Sequence, residues 1–408
     1  MPESKVVPLP GSASRVSTRD PRIDTFRGVA LVMIIVTHMP GNPWEWLTIR
    51  NWGFSDAAEA FFLMSGIAAG IAYSPGVDRW LRGDGRLWAA ISPMWARAWT
   101  LYLVQILLTV IALGLFAWSA TTFMEPRFRE MHNLAQIYSD TGAALFGIPT
   151  LGYQIGYVNI LPTYIVLMIA APLIVAGGLR WPLLTLGLSV VLWHISGQWR
   201  LNIPNHPGGG GWFFSPTSWQ LIFAIGLLIG IRHRKGERLV PRNPVLFWAA
   251  LGLVAFIFAW RHVPELGPYM NHKMAQLGAL GAPGHVVSHT KSWLGLPRLV
   301  HVLALAYVLS CLPAVRSLSA HPAVAPLRTM GQQGLLVFAF GTVLMLTGQI
   351  LMDVEPDSVW LPWVLPPLAT FLCWAAAAGK NRLRAPKASE RPAVSDSSPM
   401  KRSANARG

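Results

Sequence analysis

Long apolar segments separated by polar connections recur along almost the whole chain. A membrane-spanning helix needs ~20 consecutive, mostly apolar residues, and ten segments approach or reach this length. Their approximate bounds are 24–41, 56–74, 93–118, 157–177, 181–196, 217–232, 244–260, 297–315, 328–349 and 358–379. The segments are too long and too uniformly apolar for the strands of a membrane barrel. The pattern predicts an all-α polytopic integral membrane protein with about ten transmembrane helices.

The positive charges are unevenly divided between the two sets of connections. If both termini are cytoplasmic, 25 of the 33 Lys and Arg residues fall on the cytoplasmic side. Such an excess is typical of cytoplasmic loops, so we expect both the N- and C-termini to be cytoplasmic. The long polar connections at 119–156, 197–216 and 261–296 then lie on the outer side.

The composition excludes several classes of protein. With 53% hydrophobic and only 12% charged residues, the chain has too few charges for a soluble protein of 408 residues. Its net charge of +15 is explained by basic connections between apolar segments, so we expect no nucleic-acid partner. The two cysteines, Cys311 and Cys373, lie far apart in apolar segments, which indicates neither a disulfide framework nor a thiolate metal site.

The two ends of the chain differ from the apolar region between them. Residues 1–22 are polar and rich in Pro and Ser, without the short apolar core of a cleavable signal. Residues 380–408 are basic and of low complexity. We therefore predict two disordered cytoplasmic tails that flank a transmembrane domain at 23–379, the basic C-terminal tail being attracted to anionic lipid headgroups.

The first apolar segment carries an ionisable residue at each end. Ten residues separate Arg27 from His38, which corresponds to ~16 Å along a helix. An ionisable group at depth in a membrane usually faces a polar cavity or a partner. The alternative is a helix that simply ends at His38, with the ring at the outer interface. The spacing alone leaves both interpretations open.

The second apolar segment brings carboxylates to the same side of the membrane. Asp56 and Glu59 stand at the end that His38 approaches. A histidine and a carboxylate on adjacent helices can form a base that an acid holds in one tautomer. Further along, Gly66 and Gly70 offer a small face for close helix packing.

These two segments resemble the membrane acyltransferase-3 superfamily, and the chain as a whole resembles the OpgC family within it. The resemblance covers residues of about 20 to 380. It is carried by the blocks DTFRGVALVMIIVTH, RNWGFSDAAEAFFLMSG, LPTYIVLM, FFSPTSWQLIFAIG, KSWLGLPRLVHVLALAY and MGQQGLLVFAFG. The OpgC family is described as succinylating osmoregulated periplasmic glucans, which implies an enzyme of the bacterial inner membrane.

The resemblance also implies roles for particular residues. His38 matches the histidine regarded as catalytic, Arg27 its arginine partner, and Glu59 the acidic position. Asp56 belongs to the same block, and Arg97 resembles a basic residue that opens the third helix. The last block departs from the family pattern, because Gly331, Gln332 and Gln333 stand where an arginine is expected.

The implied reaction crosses the membrane. The donor, an acyl-CoA such as succinyl-CoA, is cytoplasmic, and the acceptor glucan is periplasmic; no bound cofactor is expected. Arg27, Arg97 and Arg86 would bind phosphates or a carboxylate of the donor, although ordinary positive-inside anchoring explains single arginines equally well. His38 would act as general base, oriented by Glu59 or Asp56, or would carry the acyl group itself.

The outer connections contain two weaker candidates for binding sites. An acceptor sugar would stack on the rings of Trp199, Trp212 and Trp219. An interfacial aromatic belt explains the same composition better. His285 and His289 have the spacing of a metal pair on a helix, yet no third ligand is evident. We expect a solvated loop there and no metal site.

Two alternatives to glucan succinylation remain open. One keeps the chemistry and changes the cargo, giving an O-acetyltransferase of another cell-envelope polysaccharide. The other is a transporter of glucan or of an organic acid. Transporters often consist of two related halves, and no counterpart of residues 27–38 occurs in the second half of the chain. This favours an acyltransferase.

Overall fold

A computed structural model describes residues 20–384, and within this range the chain is helical, with one isolated β-bridge between Pro204 and Gly211. The first eight α-helices are α1 (Pro21–Thr37), α2 (Ile49–Trp52), α3 (Ala57–Leu81), α4 (Leu87–Thr122), α5 (Ala135–Ser139), α6 (Thr141–Gly147), α7 (Ile160–Arg180) and α8 (Pro182–Trp199). The following eight are α9 (Pro216–Arg234), α10 (Pro244–His262), α11 (Leu266–Ala279), α12 (Leu296–Cys311), α13 (Pro313–Ala320), α14 (Ala325–Gln332), α15 (Gly334–Val354) and α16 (Leu361–Arg384). Short 3-10 turns lie at Pro43–Leu47, Pro126–Arg129, Met131–Asn133 and Pro322–Val324.

Six helices in the described range are long and apolar enough to cross a membrane, namely α3, α4, α7, α10, α15 and α16. A seventh span arises if α12 and α13 count as one, although they bend by 80° at their junction. Pro313 explains the break, because proline cannot continue the hydrogen bonding of α12. The prediction of a polytopic all-α membrane protein is confirmed; the count of ten spans and the cytoplasmic location of both termini stay predictions.

The terminal helices extend slightly into the segments predicted to be disordered. Helix α1 begins at Pro21, and α16 continues to Arg384. The remaining parts of the two predicted tails lie outside the described residues. The predicted segment 328–349 is divided, since α14 ends at Gln332 and α15 begins at Gly334.

Helices α3 and α9 pack backbone against backbone at the centre of the molecule. A Cβ atom added to Gly66 would lie 2.2 Å from the carbonyl oxygen of Phe223, and one added to Gly226 would lie 2.3 Å from that of Leu63. Such distances leave no room for any side chain. The predicted small-residue face is therefore confirmed, and its partner is a second pair of glycines on α9, Gly226 and Gly230.

The first helix packs equally closely against α14. A Cβ atom on Gly28 would lie 2.0 Å from the carbonyl oxygen of Leu327, and one on Gly331 would lie 1.9 Å from that of Asp24. The block with the unexpected Gly-Gln-Gln sequence thus forms the backbone-to-backbone contact with α1. This contact places the start of α15 beside Arg27.

Large apolar side chains cover the outside of the helical bundle. Leu173, Leu183 and Trp248 are each more than 65% exposed, as expected for residues that face lipid tails. Helix α4 has 36 residues and so extends ~54 Å. Because the hydrocarbon core is only ~30 Å thick, one end of α4 projects beyond it.

The connection between α1 and α3 lies at the end of the bundle where His38 stands. Its 3-10 turn contacts the start of α16, where Trp44 Nε1 donates a hydrogen bond of 2.9 Å to the carbonyl oxygen of Trp363. Its last residues contact α12, where the Ser55 hydroxyl lies 2.7 Å from His301 Nδ1. Distant parts of the chain therefore converge around this end of α1.

Candidate active site

His38 is the C-cap residue of α1, directly after Thr37, and its ring is held by the helix itself. The imidazole Nδ1 lies 2.5 Å from the carbonyl oxygen of Ile34. A carbonyl oxygen only accepts hydrogen bonds, so Nδ1 must carry the proton. This tautomer leaves the Nε2 lone pair as the basic site of the ring. The ring is half-buried and contacts the edge of Tyr157 at a centroid distance of 4.8 Å.

A glutamine from α15 fixes the backbone of His38. The Gln349 side-chain amide donates a hydrogen bond to the carbonyl oxygen of His38, and its Oε1 lies 2.8 Å from His132 Nε2. Tyr157 also contacts the edge of the His132 ring, at 4.9 Å between centroids. His38, Gln349, His132 and Tyr157 form one connected group, which holds both the backbone and the ring of His38.

Asp56 and Glu59 begin helix α3 as a capping box. The Asp56 carboxylate accepts a hydrogen bond of 2.8 Å from the Ala58 N–H, and Glu59 Oε2 accepts one of 2.8 Å from the Asp56 N–H. These bonds satisfy backbone donors that the first turn of a helix otherwise leaves unpaired. Glu59 is fully buried.

Both carboxylates form ion pairs with residues that are distant in the sequence. Lys291 Nζ lies 2.5 Å from Asp56 Oδ2, and Arg298 Nε lies 2.6 Å from Glu59 Oε1. Arg298 also lies 3.2 Å from Asp56. The four residues make a charge-balanced cluster of two carboxylates and two cations. Burial is tolerable for such a cluster because every charge has a partner.

The structure does not bring the carboxylates into hydrogen-bond contact with His38. Among the described residues, no hydrogen bond joins His38 to Asp56 or Glu59, and the ring is oriented by the carbonyl of Ile34. The predicted direct orientation of His38 by either carboxylate is therefore corrected. Asp56 and Lys291 still lie close enough to act on His38 electrostatically.

Two of the predicted donor-binding arginines line one cavity toward the other end of α1. Arg27 of α1 and Arg97 of α4 share this cavity with Ser65, Tyr164 and Phe338. The cavity is narrow, at about 20 Å³, which is room for about one water molecule. Gly334 makes space for the arginine, since a Cβ atom there would lie 2.8 Å from an Arg27 guanidinium nitrogen.

The third predicted donor-binding arginine lies apart. Arg86 is exposed and immediately precedes α4. Ten residues separate it from Arg97 in sequence, which corresponds to ~16 Å along the helix. Arg86 does not line the cavity that contains Arg27 and Arg97. Any contact with the same ligand would have to be made at the protein surface.

Comparison with protein families matches residues 19–385 to the model described as OpgC protein. The chain belongs to the OpgC family. Searches of curated proteins and of solved structures found no match. Membership in the OpgC family confirms the resemblance seen in the sequence, and it points to a glucan-modifying acyltransferase.

Two of the three predicted acceptor-binding tryptophans lie in the interior of this OpgC chain. Trp219 is completely buried, and Trp212 is only 3% exposed. The Trp219 indole N–H donates to the carbonyl oxygen of Lys291. A ring without an exposed face cannot stack on a sugar, so the prediction for these two residues is wrong. Trp199 is 66% exposed and remains available for contact.

The two outer histidines are also packed against rings. His285 contacts Trp193 at a centroid distance of 4.7 Å, and His289 contacts Phe54 at 4.1 Å. Burial lowers the pKa of both side chains. Among the described residues, no group of three or more His, Cys, Asp or Glu side chains is arranged to hold a metal ion. The solvated loop expected at this place is instead a packed segment.

Sequence reasoning missed the cations of the charged cluster and the residues that hold His38. Lys291 and Arg298 lie in a block typical of the OpgC family, and both are on the side predicted to be poor in cations. Because Lys and Arg are usually concentrated on the cytoplasmic side, two cations on the opposite side could have indicated that they pair with carboxylates. Gln349 and His132 carry no comparable signal. Gln349 ends a predicted apolar segment and His132 lies in the polar connection 119–156, and polar residues are common at both places.

Proposed function

We propose that this OpgC protein is a bacterial inner-membrane O-acyltransferase. It moves an acyl group, which we take to be succinyl, from a cytoplasmic acyl-CoA to hydroxyl groups of periplasmic glucans. The observation that carries this proposal is the fixed tautomer of His38. Its Nδ1–H is bound to the Ile34 carbonyl, so Nε2 is free to take a proton. Family membership supplies the class of reaction.

The proposed chemical step uses His38 as general base. Nε2 takes the proton from a sugar hydroxyl while the hydroxyl oxygen attacks the carbonyl carbon of the thioester. The carbon–sulfur bond then breaks, and the proton passes from His38 to the departing thiolate of coenzyme A. A two-step route, in which Nε2 attacks the thioester first and the acyl-imidazole is then transferred to the sugar, uses the same nitrogen.

The donor is proposed to enter at the Arg27 end of α1. Arginine binds phosphates and carboxylates through two parallel hydrogen bonds, and Arg27 and Arg97 face one cavity. Because this cavity is narrow, its walls must separate to admit the pantetheine arm. Arg86 would contact the nucleotide portion of the donor at the surface.

Two elements connect the proposed donor cavity to His38. Helix α1 contains Arg27 and ends directly before His38, which lies ~16 Å farther along. Tyr157 contacts His38 and precedes α7, whose Leu161 and Tyr164 line the cavity. A path between these two elements would lead the thioester from the donor side to the base. The orientation predicted from the positive charges makes that path run from cytoplasm to periplasm.

The role proposed for Asp56 and Glu59 is electrostatic and structural. They anchor Lys291 and Arg298 beside the start of α3. When His38 becomes an imidazolium, the nearby charge of Asp56 favours it and that of Lys291 opposes it. The balance within the cluster therefore influences how readily His38 takes a proton.

The test compares the glucans made by two strains. Wild type and His38→Ala are expressed at matched levels in a strain that lacks the protein, and the mass spectra of the periplasmic glucans are recorded. We expect a succinyl mass increment with wild type and none with His38→Ala. His272→Ala is the matched control, since His272 is an exposed histidine on α11, and its glucans should match wild type.

Other results would change the proposed acyl group, the role of His38 or the proposed acceptor. An acetyl increment would keep the chemistry and replace the cargo. Equal modification with wild type and His38→Ala would show that His38 is structural. Unmodified glucans in both strains would contradict glucan acylation; other envelope polysaccharides, and then the transport of glucans or organic acids, would be examined next.

A further inference from the structure

A wide groove lies just beyond His38, between the 3-10 turn Pro43–Leu47 and the start of α16. Its volume is about 580 Å³, within the range of ~300–1,000 Å³ usual for small-molecule sites. The walls include Asn42, Glu45, Trp46, Asn51 and Trp363. Aromatic, carboxylate and amide side chains thus surround one open volume at the proposed acceptor side.

The groove contains polar groups that a ligand can satisfy. Among the described residues, Glu45 has no ion pair; its Oε1 accepts a hydrogen bond of 3.0 Å from the Gly41 N–H. The side-chain nitrogen of Asn51 is buried and has no hydrogen-bond partner within the described chain. A buried donor without a partner costs free energy. A neutral ligand with many hydroxyl groups supplies both a hydrogen-bond acceptor for Asn51 and a donor for Glu45.

The two tryptophans that line the groove are held through their backbone carbonyls and keep large exposed faces. Trp46 is 60% exposed and Trp363 is 54% exposed. The Trp52 indole N–H donates to the carbonyl oxygen of Trp46, and that of Trp44 donates to the carbonyl oxygen of Trp363. In an interfacial belt, indole N–H groups are directed to water and headgroups. The indoles of Trp44 and Trp52 instead bind the backbone of the two groove tryptophans, which fixes the positions of Trp363 and Trp46.

The groove is rigidly connected to His38. Asn42 donates hydrogen bonds to the carbonyl oxygens of Val36 and Met39, at 2.8 and 2.5 Å, and accepts one from the Trp44 N–H. The turn also needs Gly41, whose φ of +85° is rarely adopted by other residues. A ligand bound against Glu45 and Trp46 would therefore have a fixed position relative to the His38 ring.

We infer that this groove is the acceptor site, and that it binds hexose units of a neutral glucan. The inference rests on the proposed function and specifies its acceptor side. The face of Trp46 stacks on the apolar face of a sugar ring, while Glu45 and Asn51 bind its hydroxyl groups. The acceptor site thus lies in the α1–α3 connection, and it replaces the acceptor prediction at Trp212 and Trp219.

The experiment measures glucan binding and acylation by the full-length protein in lipid nanodiscs. The probe is unsubstituted glucan purified from a strain that lacks the protein. We expect Trp46→Leu, which stays apolar but loses its π-face, to raise the glucan KM about 3- to 10-fold. Glu45→Gln should raise it as well, while kcat and the donor KM stay near wild type. Trp46→Phe retains an aromatic face and should recover most of the affinity.

Trp118→Leu is the matched control for membrane anchoring. Trp118 is 57% exposed on α4 and does not line the groove. Its glucan KM should equal that of wild type. An unchanged KM in both Trp46→Leu and Glu45→Gln would overturn the inference. An equal rise in Trp118→Leu and Trp46→Leu would also overturn it, because it would reveal a general loss of anchoring.

Direct binding separates this inference from the proposed function. Glucan is titrated into His38→Ala protein, which should bind it as wild type does, and into the double variant His38→Ala/Trp46→Leu, which should bind it 3- to 10-fold more weakly. This result supports the groove even if wild type acylates nothing. Glucan that fails to bind the wild-type and His38→Ala proteins would contradict the groove as an acceptor site.

Discussion

The side-chain amide of Gln349 donates a hydrogen bond to the backbone carbonyl of His38, and its oxygen lies 2.8 Å from Nε2 of His132. One glutamine from α15 therefore connects the candidate base to the 3-10 turn Met131–Asn133. His38 directly follows the last residue of α1, where backbones commonly fray. Gln349 replaces the support that a continuing helix would give.

Replacement of Gln349 by leucine should lower activity without preventing folding. The His38 backbone loses its partner, and a displacement of ~1 Å at a reacting group costs ~10²-fold in rate. We expect kcat to fall about 10- to 100-fold, with little change in either KM. Gln220→Leu is the control, since Gln220 is a buried glutamine that donates to the carbonyl of Ser189 on α8, away from His38. Equal kcat values for the two variants would contradict a positioning role for Gln349.

Acidification should destabilise the protein partly through His132. Burial lowers the pKa of this side chain, and the hydrogen bond with Gln349 and the charge of Asp353 only partly oppose this effect. The neutral ring stabilises the folded protein fully above about pH 6.5, the pKa of histidine in the unfolded chain. This stabilisation is lost as the pH falls through the lower pKa of His132 in the folded protein. The midpoint temperature of thermal unfolding should therefore decrease as the pH is lowered from about 7.5 to about 5.

His132→Asn is the variant that tests this contribution. His132 has φ +55° and ψ +33°, and asparagine adopts this left-handed conformation more readily than most residues. The variant has no group that titrates in this range, so its midpoint should fall less than that of wild type. An identical pH dependence in both proteins would show that other groups, such as His285 and His289, cause the loss.

Gly334→Ala should disturb the donor cavity. The added methyl group would lie 2.8 Å from a guanidinium nitrogen of Arg27. The end of an arginine side chain can move, so we expect a folded protein with a displaced guanidinium and a higher KM for the acyl-CoA donor. Gly252→Ala on α10 is the control, because no atom lies within 4 Å of its Cβ position. A donor KM unchanged by Gly334→Ala would argue against Arg27 as a donor ligand.

The charged cluster should respond strongly to the loss of one cation. Arg298→Met leaves the fully buried Glu59 without its 2.6 Å partner, and breaking a buried pair costs about 3–5 kcal/mol. Adding Glu59→Gln removes the uncompensated charge and should restore part of the stability. Thermal unfolding of the two single variants and the double variant measures this coupling.

An exposed ion pair provides the reference for that experiment. Arg82 lies 2.9 Å from Asp78 one turn earlier on α3, and its side chain is 68% exposed. Arg82→Met should cost only about 0–1 kcal/mol. If Arg298→Met were as mild as Arg82→Met, the buried cluster would not contribute to the stability of this region.

An added methyl group in the α3–α9 contact should destabilise the protein. In Gly226→Ala the new Cβ atom would lie 2.3 Å from the carbonyl oxygen of Leu63, which is backbone and cannot move aside. Overpacking of this kind costs about 1–3 kcal/mol, so the unfolding temperature should fall by several degrees. Gly114→Ala on α4 meets nothing within 4 Å and should be neutral or slightly stabilising. Equal unfolding temperatures for the two variants would contradict the close packing.

The sequence by itself determined the helical character of the apolar segments and the local relations along each helix. Apolar segments of this length must be helical in lipid, because only a helix satisfies all its backbone groups internally. Helical geometry is fixed, so the spacing of Arg27 and His38 placed them ~16 Å apart along the direction of α1. The small face at Gly66 was readable for the same reason, and the family followed from local blocks.

The tertiary structure decided which distant groups meet. Glu59 and its partner Arg298 are 239 residues apart, and no local pattern indicates that a carboxylate will pair with Arg298 rather than with His38. Likewise, Trp212 and Trp46 are both tryptophans in polar connections, yet one is 3% exposed and the other is 60% exposed. Helical geometry fixes neighbours three and four residues apart. Contacts between helices depend on how all of them pack, and that packing placed the base, the charged cluster and the groove together.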